Sequence, residues 1–273
     1  MLGARTRLLV RRELYASLSA RWFYVYSAAF LLGGLLLATF GLQNTVVYGY
    51  RGFAKAFAGL VHLALLFVPL MALFPAAASV AEERESGALE YILAQPTSYA
   101  EVFAGKWGGL VLALALSLTF GFGAAGAVAA VRGVPPGLIL TLYGFVLLLA
   151  LCFISLGLCF SVAAQTRARA LTLGFVAWLL LVALGTLGII VAFIRWGAPE
   201  QLLAIWTFVN PVEAFRIGVI GVLDADLSLL GPVGSRIIER LGSGGATGLA
   251  AFSLAAWSLG PGLLGLWLFR RAR

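Results

Sequence analysis

Six long apolar runs, separated by short polar segments, constrain this chain more than any other feature of its sequence. About 20 consecutive apolar residues are needed for a helix to cross the hydrocarbon core of a bilayer. Backbone groups in lipid must find hydrogen-bond partners within the chain, so runs of this length predict helices, whereas barrel strands have about 10 alternating residues. We therefore predict an all-α membrane protein with six transmembrane helices. The runs are Phe23–Leu42, Gly59–Val80, Trp107–Val131, Gly137–Ala163, Leu171–Ile194 and Thr247–Phe269.

The composition excludes a soluble globular protein, because 62% of the residues are hydrophobic and only 11% are charged. The first apolar run is too long for the apolar part of a signal peptide, so we interpret it as a span. We find no internal repeat, and the polar segments are too short to fold alone. Residues 1–273 are therefore predicted to form a single transmembrane domain.

The basic residues predict the orientation of the chain. The net charge is +8, and 12 of the 19 basic residues fall in segments that alternate spans would place on one side. They are Arg5, Arg7, Arg11, Arg12, Arg21, Arg84, Lys106, Arg167, Arg169, Arg270, Arg271 and Arg273. An excess of Lys and Arg in short loops is typical of the cytoplasmic side, which places both termini in the cytoplasm. This distribution accounts for the positive charge without a nucleic-acid partner.

Residues 1–21 are basic and predict a helix that lies at the membrane interface. Long arginine side chains can reach lipid phosphates while their stems stay in the apolar layer. Trp22, directly after Arg21, then marks the membrane boundary, since aromatic rings favour that depth. Membrane lipids are therefore expected partners of this segment. Its candidate functional residues are Arg11, Arg12, Glu13, Arg21 and Trp22.

Between the second and third runs lies a polar segment, residues 82–106, that holds five of the chain's eleven acidic residues. Its first part predicts a short helix, Ala88–Leu93, that ends before Pro96. Leu89, Ile92 and Leu93 share one face of that helix. We expect this apolar face to dock into a groove of a protein partner. The alternative is a surface turn on lipid headgroups, which clustered carboxylates disfavour because the cytoplasmic leaflet is anionic.

The second part of the polar segment predicts a new helix start. Ser98 and Glu101 have the spacing of a capping box, in which each side chain accepts a hydrogen bond from the other residue's backbone N–H. This helix leads into the third apolar run.

The segment between the fifth and sixth runs, residues 195–246, carries a second helix start. Asn210 suits the N-cap, Pro211 the first helical position and Glu213 the third, and Arg216 can pair with Glu213 on one face. The helix Pro211–Leu223 is too short to span and suits a re-entrant or interfacial element. The apolar residues 200–209 predict the other arm of a hairpin. Residues 242–245 predict a flexible lead into the last span.

Catalytic and metal-binding patterns are missing from the sequence. We find no Walker A motif, no CxxC and no HExxH, so we predict no enzyme activity, metal site or cofactor in this chain. His62 could relay protons, but without a nearby acid we favour packing. Cys152 and Cys159 are two helical turns apart, too far for a disulfide, and predict a packing seam. The pair Gly123 and Ala127 has the spacing of a close helix contact.

Three motifs resemble those of the ABC-2 type transporter permeases, in order along the whole chain. The first is Arg11-Arg12-Glu13-Leu14 followed by Arg21-Trp22, similar to R-K-E-L and R-W. The second runs from Glu83 to Lys106, similar to E-x-x-x-G-T-L with a following P and G-K, although Ala88 stands where threonine is frequent. The third is Asn210-Pro211-Val212-Glu213-Ala214-Phe215-Arg216, similar to N-P-x-D/E-x-Y/F-R. Within the family, the chain most resembles the NosY group, the membrane subunits of the transporter that serves nitrous oxide reductase maturation.

The resemblance implies a fold and a set of partners. It implies a cytoplasmic coupling helix between spans two and three and re-entrant helices between spans five and six. It also implies two ATPase subunits that hold ATP and magnesium, a second copy of this chain, a repeat-rich periplasmic partner, and a bacterial or archaeal cytoplasmic membrane. The residues it assigns to ATPase coupling are Glu83, Gly87, Leu89, Ile92, Leu93, Pro96 and Lys106. Those it assigns to the outer segment are Asn210, Pro211, Glu213, Phe215 and Arg216.

Two other functions remain open at this point. A general ABC-2 exporter of lipid, drug or peptide would share every feature except the narrower likeness to the NosY group. A membrane assembly protein outside the ABC transporters would lack an ATPase partner. The sequence does not name the cargo. With few soft ligands in the spans, copper delivery would require this subunit to transmit motion and not to conduct the metal.

Overall fold

A computed structural model describes residues 3–41, 50–131, 133–185, 188, 191, 195, 199–223 and 231–271 of the chain. These residues form helices and contain no strand, which confirms the all-α prediction. The helices are α1 (Ala4–Ser19), α2 (Arg21–Gly41), α3 (Tyr50–Glu85), α4 (Ala88–Leu93), α5 (Tyr99–Val131), α6 (Pro136–Ala163), α7 (Arg167–Trp178), α8 (Glu200–Val209), α9 (Pro211–Leu223) and α10 (Gly231–Arg271). A π-helical segment, Leu179–Leu184, continues α7.

Within the described residues, five helical stretches are long and apolar enough to cross a membrane. They are Val61–Glu85, Tyr99–Val131, Pro136–Ala163, Arg167–Leu184 and Glu239–Arg271. Each corresponds to one of the last five predicted runs, although residues 186–187, 189–190 and 192–194 of the fifth run lie outside the described part. The first predicted run falls on α2, with Leu42 outside the described residues. A membrane span at α2 therefore stays a prediction, and so does the total of six spans.

The helices pack as two groups that meet where α2 and α5 contact α3 and α6. Helices α1 and α2 pack mainly on α5, whereas α6 is the centre of a second group with α3, α7, α9 and α10. In the most apolar stretch of α6, 72% of the residues are buried within the chain. In the corresponding stretch of α7 and its π segment, only 11% of the residues are buried. A large part of the apolar surface of α7 and its π segment is therefore available to lipid or to another chain.

Glycines of α5 set how closely α1 and α2 approach it. A Cβ atom on Gly105 would lie 2.4 Å from Cβ of Leu9, and one on Gly109 would lie 2.4 Å from Cβ of Glu13. Small residues at such positions let helices meet backbone to backbone. The predicted contact pair, Gly123 and Ala127, is exposed instead. Spacing alone identified the right kind of contact on the wrong face, because every part of α5 is rich in small residues.

Polar side chains join α6 to its neighbours. Ser161 Oγ accepts hydrogen bonds from the backbone N–H groups of Val80 and Ala81 in α3, both at 2.9 Å. Cys152 Sγ donates to the carbonyl of Leu254 in α10 at 3.0 Å. Cys159 is also buried, and both cysteines are free thiols. The predicted packing role of the cysteines is confirmed, since both lie in tightly packed surroundings.

The helix-breaking residues proline and glycine have different effects in α3 and α10. Helix α3 continues through Pro69 and Pro75 as one helix. The predicted flexible lead at residues 242–245 is wrong, because these residues are helical except at Gly242, where α10 is kinked. Gly242 has φ +71°, a left-handed conformation that only glycine adopts readily. The glycine-rich sequence therefore produces one defined break and not a flexible linker.

Candidate functional site

The N-terminal helix, the polar segment 82–106 and the C-terminus of α10 lie together at one end of the bundle. Arg5 donates to the carbonyl of Pro96 at 2.5 Å, and the rings of Tyr99 and Phe269 contact edge to face, with centroids 5.2 Å apart. The first residue of α7 joins them through an ion pair of 3.0 Å between Arg167 and Glu82. We call this end the basic end, because it gathers most of the arginines that predicted the orientation.

The turn from α3 into α4 takes place at Gly87. Its φ of +76° is left-handed, and its N–H donates to the carbonyl of Arg84 at 3.2 Å. Its own carbonyl accepts the N–H of Glu90 at 3.2 Å and so opens α4. A glycine in this conformation ends one helix and admits the next after a single turn. The predicted short helix Ala88–Leu93 is confirmed with these bounds.

The orientation of α4 corrects the expectation for its apolar face. Leu89 and Ile92 are buried in the main hydrophobic cluster of this chain, and Leu93 packs against that cluster. They therefore do not project toward a partner. Tyr91, by contrast, is 80% exposed. The helix has only six residues, so its three aliphatic side chains are needed to hold it on the bundle.

The capping box at the start of α5 is confirmed. Glu101 Oε2 accepts the N–H of Ser98 at 2.9 Å, and Ser98 Oγ accepts the N–H of Glu101 at 3.2 Å. Both donors would otherwise lack a partner at the start of the helix. The segment from Gly87 to Glu101 is thus fixed at both ends by local backbone geometry.

A buried lysine lies at the centre of the basic end. Lys106 Nζ is 2.8 Å from Oε2 of Glu83 and 3.3 Å from Oε2 of Glu13, with only 5% of the lysine side chain exposed. It also donates to Oγ of Ser79 at 3.1 Å, and Ser79 Oγ donates to Glu13 at 3.1 Å. Arg12 completes the group with a bond of 3.1 Å to the other oxygen of Glu83. The first two sequence motifs therefore meet in one cluster, which we call the Lys106 cluster.

The four residues Glu82 to Glu85 together bind four other helices. Glu83 belongs to the Lys106 cluster, and Glu82 pairs with the Arg167 side chain. Arg84 donates to the carbonyls of Val162 and Ala164 at the end of α6. Glu85 accepts the backbone N–H of Arg167 at 2.9 Å, where α7 begins. This run thus ties the end of α3 to α1, α5, α6 and α7.

The hairpin formed by α8 and α9 confirms the predicted start of the second helix. Asn210 Oδ1 accepts the N–H of Val212 at 2.9 Å, the bond expected of an N-cap. Glu213 pairs with Arg216 at 3.1 Å, as its spacing predicted. Phe215 is fully buried, and α9 packs against α3, α6 and α10. The helix is therefore an internal element of the bundle and does not lie on its surface.

At the turn between α8 and α9, side chains bind two of the last carbonyl groups of α8. Ser253 donates to the carbonyl of Phe208, and Trp257 Nε1 donates to that of Val209 at 2.7 Å. Both donors lie near the middle of α10. Irregular backbone at membrane depth occurs where protein covers it in this way. The re-entrant position of this hairpin in the membrane stays a prediction. Residues 196–198 and 224–230 of the outer segment lie outside the described part.

Asn210 also contacts the π-helical continuation of α7, which is the fifth predicted span. Its Nδ2 donates to the carbonyl of Leu181 at 2.9 Å, within the π-helical segment. A Cβ atom on Gly185 would lie 2.2 Å from that same nitrogen. A π-helical turn leaves a backbone carbonyl without its usual partner, and such turns are frequent at functional sites. Nothing in the sequence indicated the π segment, so this link was missed.

The remaining candidate residues lie at the surface or in packing positions. Arg11 is exposed and its guanidinium lies over the ring of Tyr15, 5.5 Å from its centroid. Arg21 is exposed, while Trp22 packs against Tyr26 at 6.1 Å between ring centroids. His62 lies on an exposed face of α3. Within the described ranges, no group of three or more His, Cys, Asp or Glu side chains is arranged to hold a metal ion.

The family model of the ABC-2 family transporter proteins matches residues 7–273. The chain belongs to the ABC-2 transporter family. No individual curated protein matches it. Membership makes the chain the multi-pass membrane component of an ABC transporter and implies ATPase partner subunits. The match does not distinguish the NosY group from other members of the ABC-2 family.

Proposed function

We propose that this chain is a permease subunit that receives the motion of an ABC ATPase through α4 and passes it to the spans. The observation that carries the proposal is the run Glu82–Glu85, which fixes the end of α3, immediately before α4, to four other helices. A displacement of α4 would therefore move α1, α5, α6 and α7 together. Tyr91, beside Glu90, is the exposed side chain that would contact the ATPase.

The proposal extends to the orientation of the chain, its ATPase subunits and its copy number. The basic end faces the cytoplasm, as the arginine distribution predicts. ATP and magnesium bind to the ATPase subunits, and this chain contributes no catalytic group. Residues 1–273 act as one transmembrane domain in a bacterial or archaeal cytoplasmic membrane. One α4 serves one ATPase, and two ATPases enclose ATP between them, so two copies of this chain are required.

The surface of α7 supports a dimer. Leu173, Phe175, Val176 and Leu180 are exposed on α7 and its π segment. The resemblance to the ABC-2 permeases implies contact between the copies at the first span and at the start of the fifth. Exposed apolar residues on α2, such as Leu32 and Leu36, support the other half of that contact.

We further propose that the transporter serves the maturation of nitrous oxide reductase, as the NosY group does. The support for this role is the convergence of the motifs that carry the resemblance: Arg12, Glu13, Glu83 and Lys106 form one cluster, and Asn210 to Arg216 form the start of α9. The permease would transmit motion to a repeat-rich periplasmic partner or export a maturation factor. Export of a lipid, drug or peptide is the alternative, and the general features of the fold fit both.

Affinity purification of the tagged chain from its native membrane tests the proposal. We expect an ABC ATPase in equal amounts, together with a second copy of the chain. Recovery without any ATPase would overturn the permease function and favour a membrane assembly protein. Deletion of the gene then distinguishes the maturation role from general export. Nitrous oxide reductase with reduced copper content supports the maturation role, and fully metallated reductase rejects it in favour of general export.

A further inference from the structure

A cleft of about 450 Å³ opens at the basic end, where the two groups of helices meet. Helices α1, α2, α3, α5 and α7 all contribute to its lining. Pockets of roughly 300–1,000 Å³ are typical of small-molecule sites in proteins. The cleft is distinct from the surface of α4, which contributes none of its lining residues.

The lining divides into an apolar wall and a charged side. Trp22 and Tyr26 of α2, with Phe74 and Pro75 of α3, form the wall. Glu13, Glu83 and Lys106 line the charged side, together with Glu82 and Arg167. A ligand that fits both surfaces has an ionic head and an apolar body. Tryptophan and tyrosine favour the depth of lipid headgroups, so the membrane itself supplies ligands of this kind.

The charges distinguish between headgroups. Three carboxylates and two cations line the cleft, and Arg12, which binds Glu83, balances the remaining negative charge, so a headgroup without net charge fits best. Lys106 is buried and already bound by two carboxylates, so a ligand cannot easily reach it. Glu82 and Arg167 are 54% and 51% exposed at their side chains, and their exposed ion pair contributes little to stability. An incoming zwitterion can therefore replace it.

We propose that the cleft binds a phospholipid with a primary ammonium headgroup. The ammonium group lies against Glu82, the phosphate lies against Arg167, and the start of the acyl chains lies against the aromatic wall. The remainder of the chains extends into the surrounding bilayer. The site would make the junction between the two groups of helices sensitive to the lipid composition of the membrane.

Photolabelling of the full chain in liposomes tests the site. The probes are phosphatidylethanolamine and phosphatidylglycerol that carry the same diazirine close to the headgroup, and mass spectrometry locates the labels. We expect labels on the cleft lining, with the ethanolamine lipid favoured about tenfold, the ratio that one charge-assisted hydrogen bond supplies. Equal labelling by the two lipids would overturn the headgroup assignment, and labels found only elsewhere would overturn the site.

Two pairs of variants give the assignment its controls. Ala16→Trp places a large ring on the exposed rim of the cleft and should abolish labelling, whereas Ala163→Trp is exposed at the same end, outside the lining, and should retain it. Glu82→Gln should remove the preference for ethanolamine, while Glu90→Gln on α4 should keep it. Labelling unchanged by Ala16→Trp, or a preference unchanged by Glu82→Gln, would reject the proposal. Binding of the ATPase to the same preparations is measured separately and does not depend on either result.

Discussion

Nζ of Lys106 lies 2.8 Å from Oε2 of Glu83, and this contact joins the start of α5 to the end of α3. The two residues come from opposite ends of the polar segment 82–106. Their contact closes that segment into a loop whose base is an ion pair, with α4 held between the two ends. The relationship explains how a helix of six residues keeps a defined position at the surface of the bundle.

Replacing the lysine should destabilise the whole basic end. Lys106→Met leaves Glu13 and Glu83 as neighbouring carboxylates at a largely buried site. Removal of one partner from a buried ion pair costs about 3–5 kcal/mol, because the other charge loses its compensation. We expect a clearly lower midpoint of thermal unfolding in detergent. Arg169→Met is the control, since Arg169 is an exposed cation at the same end. Equal midpoints for the two variants would contradict the role assigned to Lys106.

The two faces of α4 should give opposite results. Leu89→Ala removes a buried side chain and should lower the free energy of unfolding by about 2–5 kcal/mol. Tyr91→Ala removes an exposed side chain and should leave stability unchanged while weakening recovery of the ATPase on affinity purification. Normal ATPase recovery with Tyr91→Ala would show that another surface of this end makes the contact.

The structure explains why the sequence predicted α4 but not its orientation. The spacing of Leu89, Ile92 and Leu93 identifies an apolar face, but a face buried by its own chain and a face buried by a partner have the same pattern. The local signals were more reliable: the capping box at Ser98 and the N-cap at Asn210 depend only on residues three or fewer positions apart. They were therefore readable without tertiary contacts.

Contacts between distant segments could not be predicted in the same way. Ser79 lies at the end of an apolar run and belongs to no motif of the sequence, yet it forms hydrogen bonds with both Glu13 and Lys106. The charged residues Glu83 and Lys106 were singled out by resemblance to a family, but only the fold shows that they meet. The π segment has no signature in composition or periodicity, so the partner of Asn210 was beyond sequence reasoning.

Glycine substitutions in α5 test the packing of α1. A side chain at Gly109 would overlap Glu13, so Gly109→Val should displace α1 and disturb the Lys106 cluster. We expect a lower unfolding midpoint and faster proteolysis of the N-terminal helix. Gly123→Val is the matched control on the same helix, because a Cβ there meets nothing closer than 4.0 Å. Similar losses for both variants would indicate that helix propensity, and not contact with α1, determines the effect.

The link between Asn210 and the fifth span can be separated from its capping role. Asn210→Ala loses both, and should cost about 1 kcal/mol for the cap plus about 1–3 kcal/mol for the unpaired carbonyl of Leu181. Asn210→Ser keeps a capping oxygen but is too short to reach Leu181, so it should lose only the second part. Thermal unfolding of both variants in detergent measures the difference. Equal losses would show that the Leu181 bond contributes nothing.

A double-mutant cycle with Gly185 gives the sharper test of the same contact. In the natural chain a methyl group at Gly185 would lie 2.2 Å from Nδ2 of Asn210, so Gly185→Ala should be strongly destabilising. In the Asn210→Ser background that nitrogen is absent, and the same change should cost much less. Residues in contact show coupling energies of about 0.5–3 kcal/mol in such cycles, whereas independent sites add. Gly188→Ala is the control in both backgrounds, because a Cβ atom there meets nothing within 4 Å. Additive losses for Gly185→Ala and Asn210→Ser would refute the contact between Asn210 and the π-helical segment.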